Sequence, residues 1–202
     1  MTNEHPAVNR ASHRWELFWN LLLGFLISAL SVLTAASNYM AFQSDKNSAD
    51  FESEGDRSLA LSNTDYIRAN QFIILDYDMY DGEYINRGVD EFAADYYKSN
   101  YSKELQASID RGSAFDDQYY TDKYAESNSS FDEAFASFDR ANAEKGREAG
   151  YQLAMLIASV GLAFSAYASL LNNANFLRGL FSVLALIALG IGTLQFILAL
   201  FA

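Results

Sequence analysis

The sequence has no cysteine, a single proline (Pro6) and only two histidines, His5 and His13. Without cysteine there is no disulfide, no thiolate metal site and no thiol nucleophile, and the redox compartment is left open. Both histidines stand before residue 14, so the long polar stretch further on cannot hold a His-centred catalytic site. No nucleophile-plus-base pattern, no phosphate-cradling glycine loop and no metal-ligating histidine pair occurs. Nothing here points to an enzyme, and no small-molecule substrate is predicted. Lysine is scarce too, with five against fifteen aspartates.

What the chain does have is three apolar runs, Leu17–Ala36, Ala149–Leu171 and Phe176–Ala202. Each is close to the ~20 residues that a helix needs to cross hydrocarbon. They divide the chain into a polar tail (1–14), a first transmembrane helix with its aromatic edges (15–43), an acidic helical soluble insert (44–148), a second transmembrane helix (149–171), a short connection (172–175) and a third transmembrane helix (176–202). The expected fold class is all-α: an integral membrane protein with three transmembrane helices and a helical-bundle insert.

Formal net charge is −12. The insert holds 24 of the 26 acidic and 11 of the 14 basic residues, a balance of −13. Such a surface repels nucleic acid and anionic head groups. It reads first as a solvated, salt-adapted face, with a cation-collecting surface as the functional alternative.

The tail is expected to be disordered. Trp15, Phe18 and Trp19, and on the far side Tyr39 and Phe42, read as interfacial anchors of the first span. Gly24, Ser28, Ser31 and Ala35 recur at steps of three and four, as do Ala154, Ala158, Gly161, Ser165 and Ser169 in the second span. Small stripes let helices approach closely in lipid. Ala35-Ala36-Ser37 is cleavage-like, so removal of the first run as a signal peptide is an alternative, but its apolar core is long for one. Gln195 in the third span is an amide that wants a partner, and Gly146 with Gly150 is a GxxxG spacing suited to helix packing.

In the insert, 44–57 either extends the first span as a stalk or loosens into a linker. Leu59, Tyr66, Ala69, Ile73, Tyr77, Tyr80 and Tyr84 then share one helical face. Asp81-Gly82 marks an expected turn. A second helix over 83–97 is expected to pack through Ile85, Val89, Phe92 and Tyr96. A third, over 103–124, is interrupted at Gly112-Ser113. Ser130 with Glu133 matches a capping box and opens a helix that runs on into the second span, carrying Phe131, Phe135 and Phe138.

The one constellation that suggests chemistry is Asp76, Asp78, Asp81 and Glu83 beside Gly82. Hard divalent cations such as Ca²⁺ favour several carboxylates around a turn, so these four are the candidate cation site. The EF-hand pattern fails: counting from Asp76, Asp81 falls where glycine is required and Arg87 where the bidentate glutamate is required. The plain reading is a solvated acidic helix end, and no other cofactor is implied.

Arg10, Arg14 and Arg178 fall on one side if all three spans cross, which by the positive-inside rule is the cytoplasm. The insert is then extracytoplasmic, where Asn100-Tyr101-Ser102 and Asn128-Ser129-Ser130 would be glycosylation-type triplets. One N-terminal span, an acidic insert with the stretch Tyr66-Ile67-Arg68-Ala69-Asn70-Gln71, and a closing two-span hairpin resemble a group of uncharacterised prokaryotic three-span membrane proteins. The resemblance covers most of the chain in plan and implies the three-span layout. It assigns no role to any residue and does not include the Asp76–Glu83 stretch. The reading is a non-enzymatic, self-associating membrane protein with a scaffold role, partnered by the bilayer and by copies of itself. The alternative is an oligomeric ion channel or cation-responsive sensor, with Asn20, Ser28, Ser31 and Thr34 as its pore-lining candidates.

Overall fold

The computed structural model describes residues 6–171 and 175–202, and the side chains of 16–171 and 176–202. The described residues are helical, without strands. In order they form α1 (Pro6–Asn86), α2 (Glu91–Ser99), α3 (Lys103–Asp110), α4 (Asp117–Lys123), α5 (Ala125–Leu170) and α6 (Asn175–Phe201). Three of these, α1, α5 and α6, are long and apolar enough to cross a membrane. The connection expected at 172–175 and the ring of Trp15 lie outside the described residues.

Two long helices carry the architecture. α1 spans 81 residues and α5 spans 46. Of the two readings of 44–57 the stalk holds, since α1 continues through it, and the expected disordered tail is helical from Pro6, a residue suited to a first turn. With no later proline, nothing forces a break. The periodicity supplies the positive reason. On α1, Ala41, Ser48, Gly55, Ser62 and Ala69 are buried at every seventh residue. On α5 the buried set is Ser127, Ser130, Ala134, Ser137 and Ala141, then Ala154, Ala158, Gly161, Ser165 and Ala168, at steps of three and four. This is a heptad seam made of small side chains, which keeps one face turned inward and lets backbones come close.

The chain divides into two compact units, Met1–Ala49 with Ala141–Ala202, and Asp50–Arg140. In the first, an apolar bundle, α1 runs antiparallel to α5 and parallel to α6. Leu26, Leu30, Ala158 and Ala185 form one core cluster, and Ala41, Tyr151 and Ala199 form another. Ser48 Oγ donates to the Ala141 carbonyl at 3.0 Å. α6 turns Arg178, Ala185, Gly192 and Ala199 inward, again every seventh residue. A Cβ on Gly161 would stand 2.9 Å from both Ala188 Cβ and Leu30 Cδ2, so only glycine allows the three helices to meet there. The hydroxyls of Ser37 and Ser165 are fully buried without a hydrogen-bond partner.

The small residues expected at the second span pack as anticipated except Ser169, which is exposed. The expected stripe on the first span does not. Gly24, Ser28, Ser31 and Ala35 face outward, while Leu23, Leu26, Leu30 and Ser37 face in. Of the Gly146–Gly150 pair only Gly150 packs, with Ala199 Cβ 2.7 Å from where its own Cβ would be. Gln195 lies against Gly150.

In the second, acidic unit, α1 and α5 are joined by reciprocal bonds: Ser62 Oγ donates to Ser127 O at 2.9 Å, and Ser127 Oγ to Ser62 O at 3.0 Å. α2–α4 cover the pair. Ile73, Leu105 and Tyr119 are the core, ringed by Tyr80, Tyr101, Phe115 and Tyr124. Of the expected aromatic face, Tyr77 stacks on Phe115 and Tyr66 on Tyr124, but Tyr84 is exposed.

Several expected boundaries move. Asp81-Gly82 is no turn: Gly82 lies inside α1, with the Tyr97 ring where a side chain would be. The chain turns at Gly88 instead, whose φ of +76° glycine adopts freely. Asp90 then caps α2 by accepting from Ala93 N at 3.1 Å. Ile85, Val89, Phe92 and Tyr96 do not pack but are exposed, because the break falls within the set and ends their common period. The third expected helix is divided near Gly112 into α3 and α4. α5 begins at Ala125, so Ser130 caps nothing and is buried in the seam. Phe138 packs on Gly55, while Phe131 and Phe135 remain exposed.

Candidate functional site

Asp76 and Glu83 are seven residues apart on α1 and therefore share its inner face, where both are buried. Asp78 and Asp81 fall on the outer face and are exposed. The four carboxylates expected as a cation site are not brought together. The turn that would have converged them is continuous helix, and helix geometry separates them. Among the described residues, no three acidic or histidine side chains are grouped to hold a metal ion.

Asp76 is instead the centre of a buried polar node. Its Oδ1 accepts from Ser102 N at 3.1 Å. Its Oδ2 accepts from Ser102 Oγ at 2.5 Å and Tyr119 OH at 2.8 Å, and faces Lys123 Nζ at 3.0 Å. Three of these contacts fall on Oδ2 and one on Oδ1, so the charge of Asp76 is already met by Lys123 and by donors of its own unit. Lys123 also reaches Glu104 at 2.8 Å and lies over the rings of Phe72 and Tyr119. Ser102 has a second task as the cap of α3, accepting from Leu105 N. Ser102 and Glu104 come from the start of α3, and Tyr119 and Lys123 from α4. The node thereby ties α3 and α4 to α1.

The electrostatics follow. Burial by itself would raise the Asp76 carboxyl, but the donors Ser102, Lys123 and Tyr119 outweigh it and hold the group below its ordinary value. Glu104 is lowered by Lys123. The Tyr119 hydroxyl is pushed up, by burial first and then by the Asp76 charge.

Glu83 takes a separate partner. Arg87, one turn on, grips it with two bonds at 2.9 and 2.6 Å and lowers its carboxyl. Beside this pair lies a cleft of about 390 Å³ lined by Tyr80, Glu83, Arg87, Lys98, Tyr101 and Asp110 among others. Tyr101, pushed up to about 12 by burial and then by Glu83, forms one wall. Arg111 grips the α4 cap Asp116 at 2.6 and 2.7 Å, holding that carboxyl well below its usual range. These carboxylates are thus bound by side chains of their own unit, and none is poised as a free general base.

Ser102, Glu104, Tyr119 and Lys123 are not apparent as a group in the sequence, because they are spread over α3 and α4. The available signal is the rarity of lysine in an acidic unit, which makes a lysine beside tyrosines a candidate for a buried partner. The triplet at Asn100 is also occupied: Asn100 Nδ2 donates to Tyr96 O, and Ser102 Oγ to Asp76.

No protein-family model, curated protein or solved structure matches this chain.

Proposed function

We propose that the chain is a three-span membrane protein that associates with copies of itself and serves as a scaffold, without catalytic chemistry of its own. The observation that carries this reading is the outward face of α1. Gly24, Ser28, Ser31 and Ala35 line it unused by the bundle's own packing, and small residues at this spacing admit a second helix in lipid. The rest of the bundle exterior is large and apolar, including Phe25, Val32, Leu156, Ile187 and Leu194, as a lipid-facing surface requires. The acidic unit adds a second unused surface at Ile85, Val89, Phe92 and Tyr96. The arginines Arg10, Arg14 and Arg178 favour a cytoplasmic N-terminus and an extracytoplasmic acidic unit in a cell membrane.

A channel reading has less support. Leu26, Leu30, Ala158 and Ala185 close the bundle interior. The pore candidates are engaged locally: Ser28 donates to Gly24 O, Thr34 to Leu30 O, and Asn20 accepts from Arg178. Conduction would need a pathway between copies. The cation-responsive version has less support, since Asp76 is engaged by Ser102, Tyr119 and Lys123 while Asp78 and Asp81 lie on the outer face.

The absence of cysteine makes the test clean. Ser28→Cys and Ser31→Cys, oxidised in native membranes, should each give a disulfide-linked dimer, whereas Leu26→Cys in the core should not. A monomeric detergent-subtracted mass together with no cross-link at either position would overturn self-association. Release of the chain from membranes by alkaline carbonate would overturn the three-span reading itself.

A further inference from the structure

Among the described residues, Arg178 is the one cation buried at its end of the apolar bundle. It is 8% exposed, in the first turn of α6. Its Nη2 donates to Asn20 Oδ1 at 2.7 Å. Its Nε is buried without an acceptor. Among the described residues no carboxylate pairs with it. Glu16, one turn before Asn20 on α1, is exposed and makes no ion pair with it. A guanidinium removed from water without a counter-charge is costly, by several kcal/mol in general. A neutral amide oxygen satisfies one of its five donors and none of its charge.

Its place on the helix makes the imbalance larger. The first turn of a helix presents free backbone N–H groups and the positive end of the dipole. A cation there has the wrong sign, and a helical side chain leans toward its own N-terminus, which brings the guanidinium to that same pole. Two positive features therefore share one place, and no carboxylate of the described residues pairs with the guanidinium there. Asn20 is exposed, so its contact with Arg178 lies at the surface of the bundle. What fits is a compact oxyanion that takes paired bonds from a guanidinium and further bonds from helix-opening amides, which is a phosphate group.

We propose that Arg178 and the opening turn of α6 bind the phosphate of a membrane phospholipid, with the acyl chains on the adjoining apolar surface of the bundle. This rests on the three-span reading, which sets Arg178 where an apolar run begins and head groups lie. Phe176, Leu177 and Leu180 around it are partly or largely exposed and offer that apolar surface. Arg178 is the anchor; Asn20 positions it from the side away from the ligand.

The test uses the full chain, delipidated in an uncharged maltoside detergent, and follows its melting temperature against added dioctanoyl phosphatidylglycerol. An anionic lipid that binds the folded state raises the melting temperature as its concentration passes the dissociation constant. We expect a saturable rise, with the apparent affinity weakened about tenfold or more in Arg178→Gln, the scale of a lost charge-assisted pair. Arg178→Lys keeps the charge but not the fork. It should fall between the two, and it serves as the reading if the glutamine variant does not fold. An equal rise in wild type and both variants would overturn the site. The same rise with inorganic phosphate at matched concentration would overturn the lipid as its source. Carbonate extraction, run in parallel, separates these outcomes from failure of the membrane reading: a chain that stays in the membrane fraction but shows no Arg178-dependent rise rejects the lipid site alone.

Discussion

In the apolar bundle, the α1–α5 seam is covered by α6, which presents Ala185, Gly192 and Ala199 and closes the core on leucine and alanine. In the acidic unit, a seam of the same kind is covered by three short helices that present Tyr101, Leu105 and Tyr119 and close the core around a charged node. A small-residue seam is neutral about solvent: it brings two backbones together and leaves the covering wall to set the medium. A wall without charge serves in lipid, where helices gain nothing from hydrophobic burial and depend on close fit. Short helices with little apolar area each depend instead on caps and ion pairs, because burial alone is insufficient to hold an eight-residue helix in water.

This difference should be sharpest in acid, which is expected to have the largest effect. Asp76, Glu83, Glu104 and Asp116 all titrate lower in the fold than in a free chain. The unfolded chain therefore binds more protons near the ordinary carboxylate range. Their stabilisation is complete above about pH 5 and is lost as pH falls through about 4 toward the depressed folded values. Near-UV circular dichroism, dominated in the acidic unit by tyrosine, should decay over that range while the far-UV signal of the apolar helices persists. Tyr101, raised to about 12, and Tyr119 act in the opposite sense: their share is present below about pH 10 and declines above it. Simultaneous loss of both signals in acid would mean that the two units do not differ as described.

Asp76→Asn should be the most damaging single change. It leaves Lys123 buried with Glu104 alone, at a cost of about 3–5 kcal/mol by analogy with broken buried pairs. Asp78→Asn and Asp81→Asn, both exposed, should stay within about 0.5 kcal/mol. Chemical denaturation followed by tyrosine fluorescence distinguishes them, and equal losses at all three positions would dismiss the node. Gly161→Leu tests the other region. It drives a side chain into Ala188 and Leu30 and should cost about 1–3 kcal/mol or more, read as a lower melting temperature in detergent with the acidic unit's near-UV spectrum unchanged. The smallest effect is expected at Ser37, whose buried hydroxyl has no partner. Ser37→Ala should be neutral or stabilising by up to about 1 kcal/mol. A clear loss there would mean that the hydroxyl has a partner after all.

The apolar runs were legible because length and hydropathy act along the chain, and the second-span stripe because its small residues are uninterrupted. The first-span stripe is legible as a period but not as a contact: Gly24, Ser28, Ser31 and Ala35 keep a helical spacing and face outward, and period alone does not say which helix meets them. The turn at Asp81-Gly82 was misplaced because glycine serves two purposes. At Gly82 it admits the Tyr97 ring, and at Gly88 it supplies the positive φ. Asp76 stood out as one of four acids, yet its partners lie 26 to 47 residues further along the chain, beyond the reach of any local spacing.

The seven-residue seam of α1 also constrains how such a chain can change over generations. Deleting one residue from the stretch between Ala41 and Ala69 would rotate everything beyond it by about 100°, turning Asp76 and Glu83 toward solvent and Asp78 or Ile74 toward α4. The whole stretch is one proline-free helix, and it contains no loop that could absorb the slip. Lineages descended from this chain should therefore lengthen or shorten here in whole sevens, or not at all, while the exposed turn at Gly88 and Val89 is the place that tolerates an insertion.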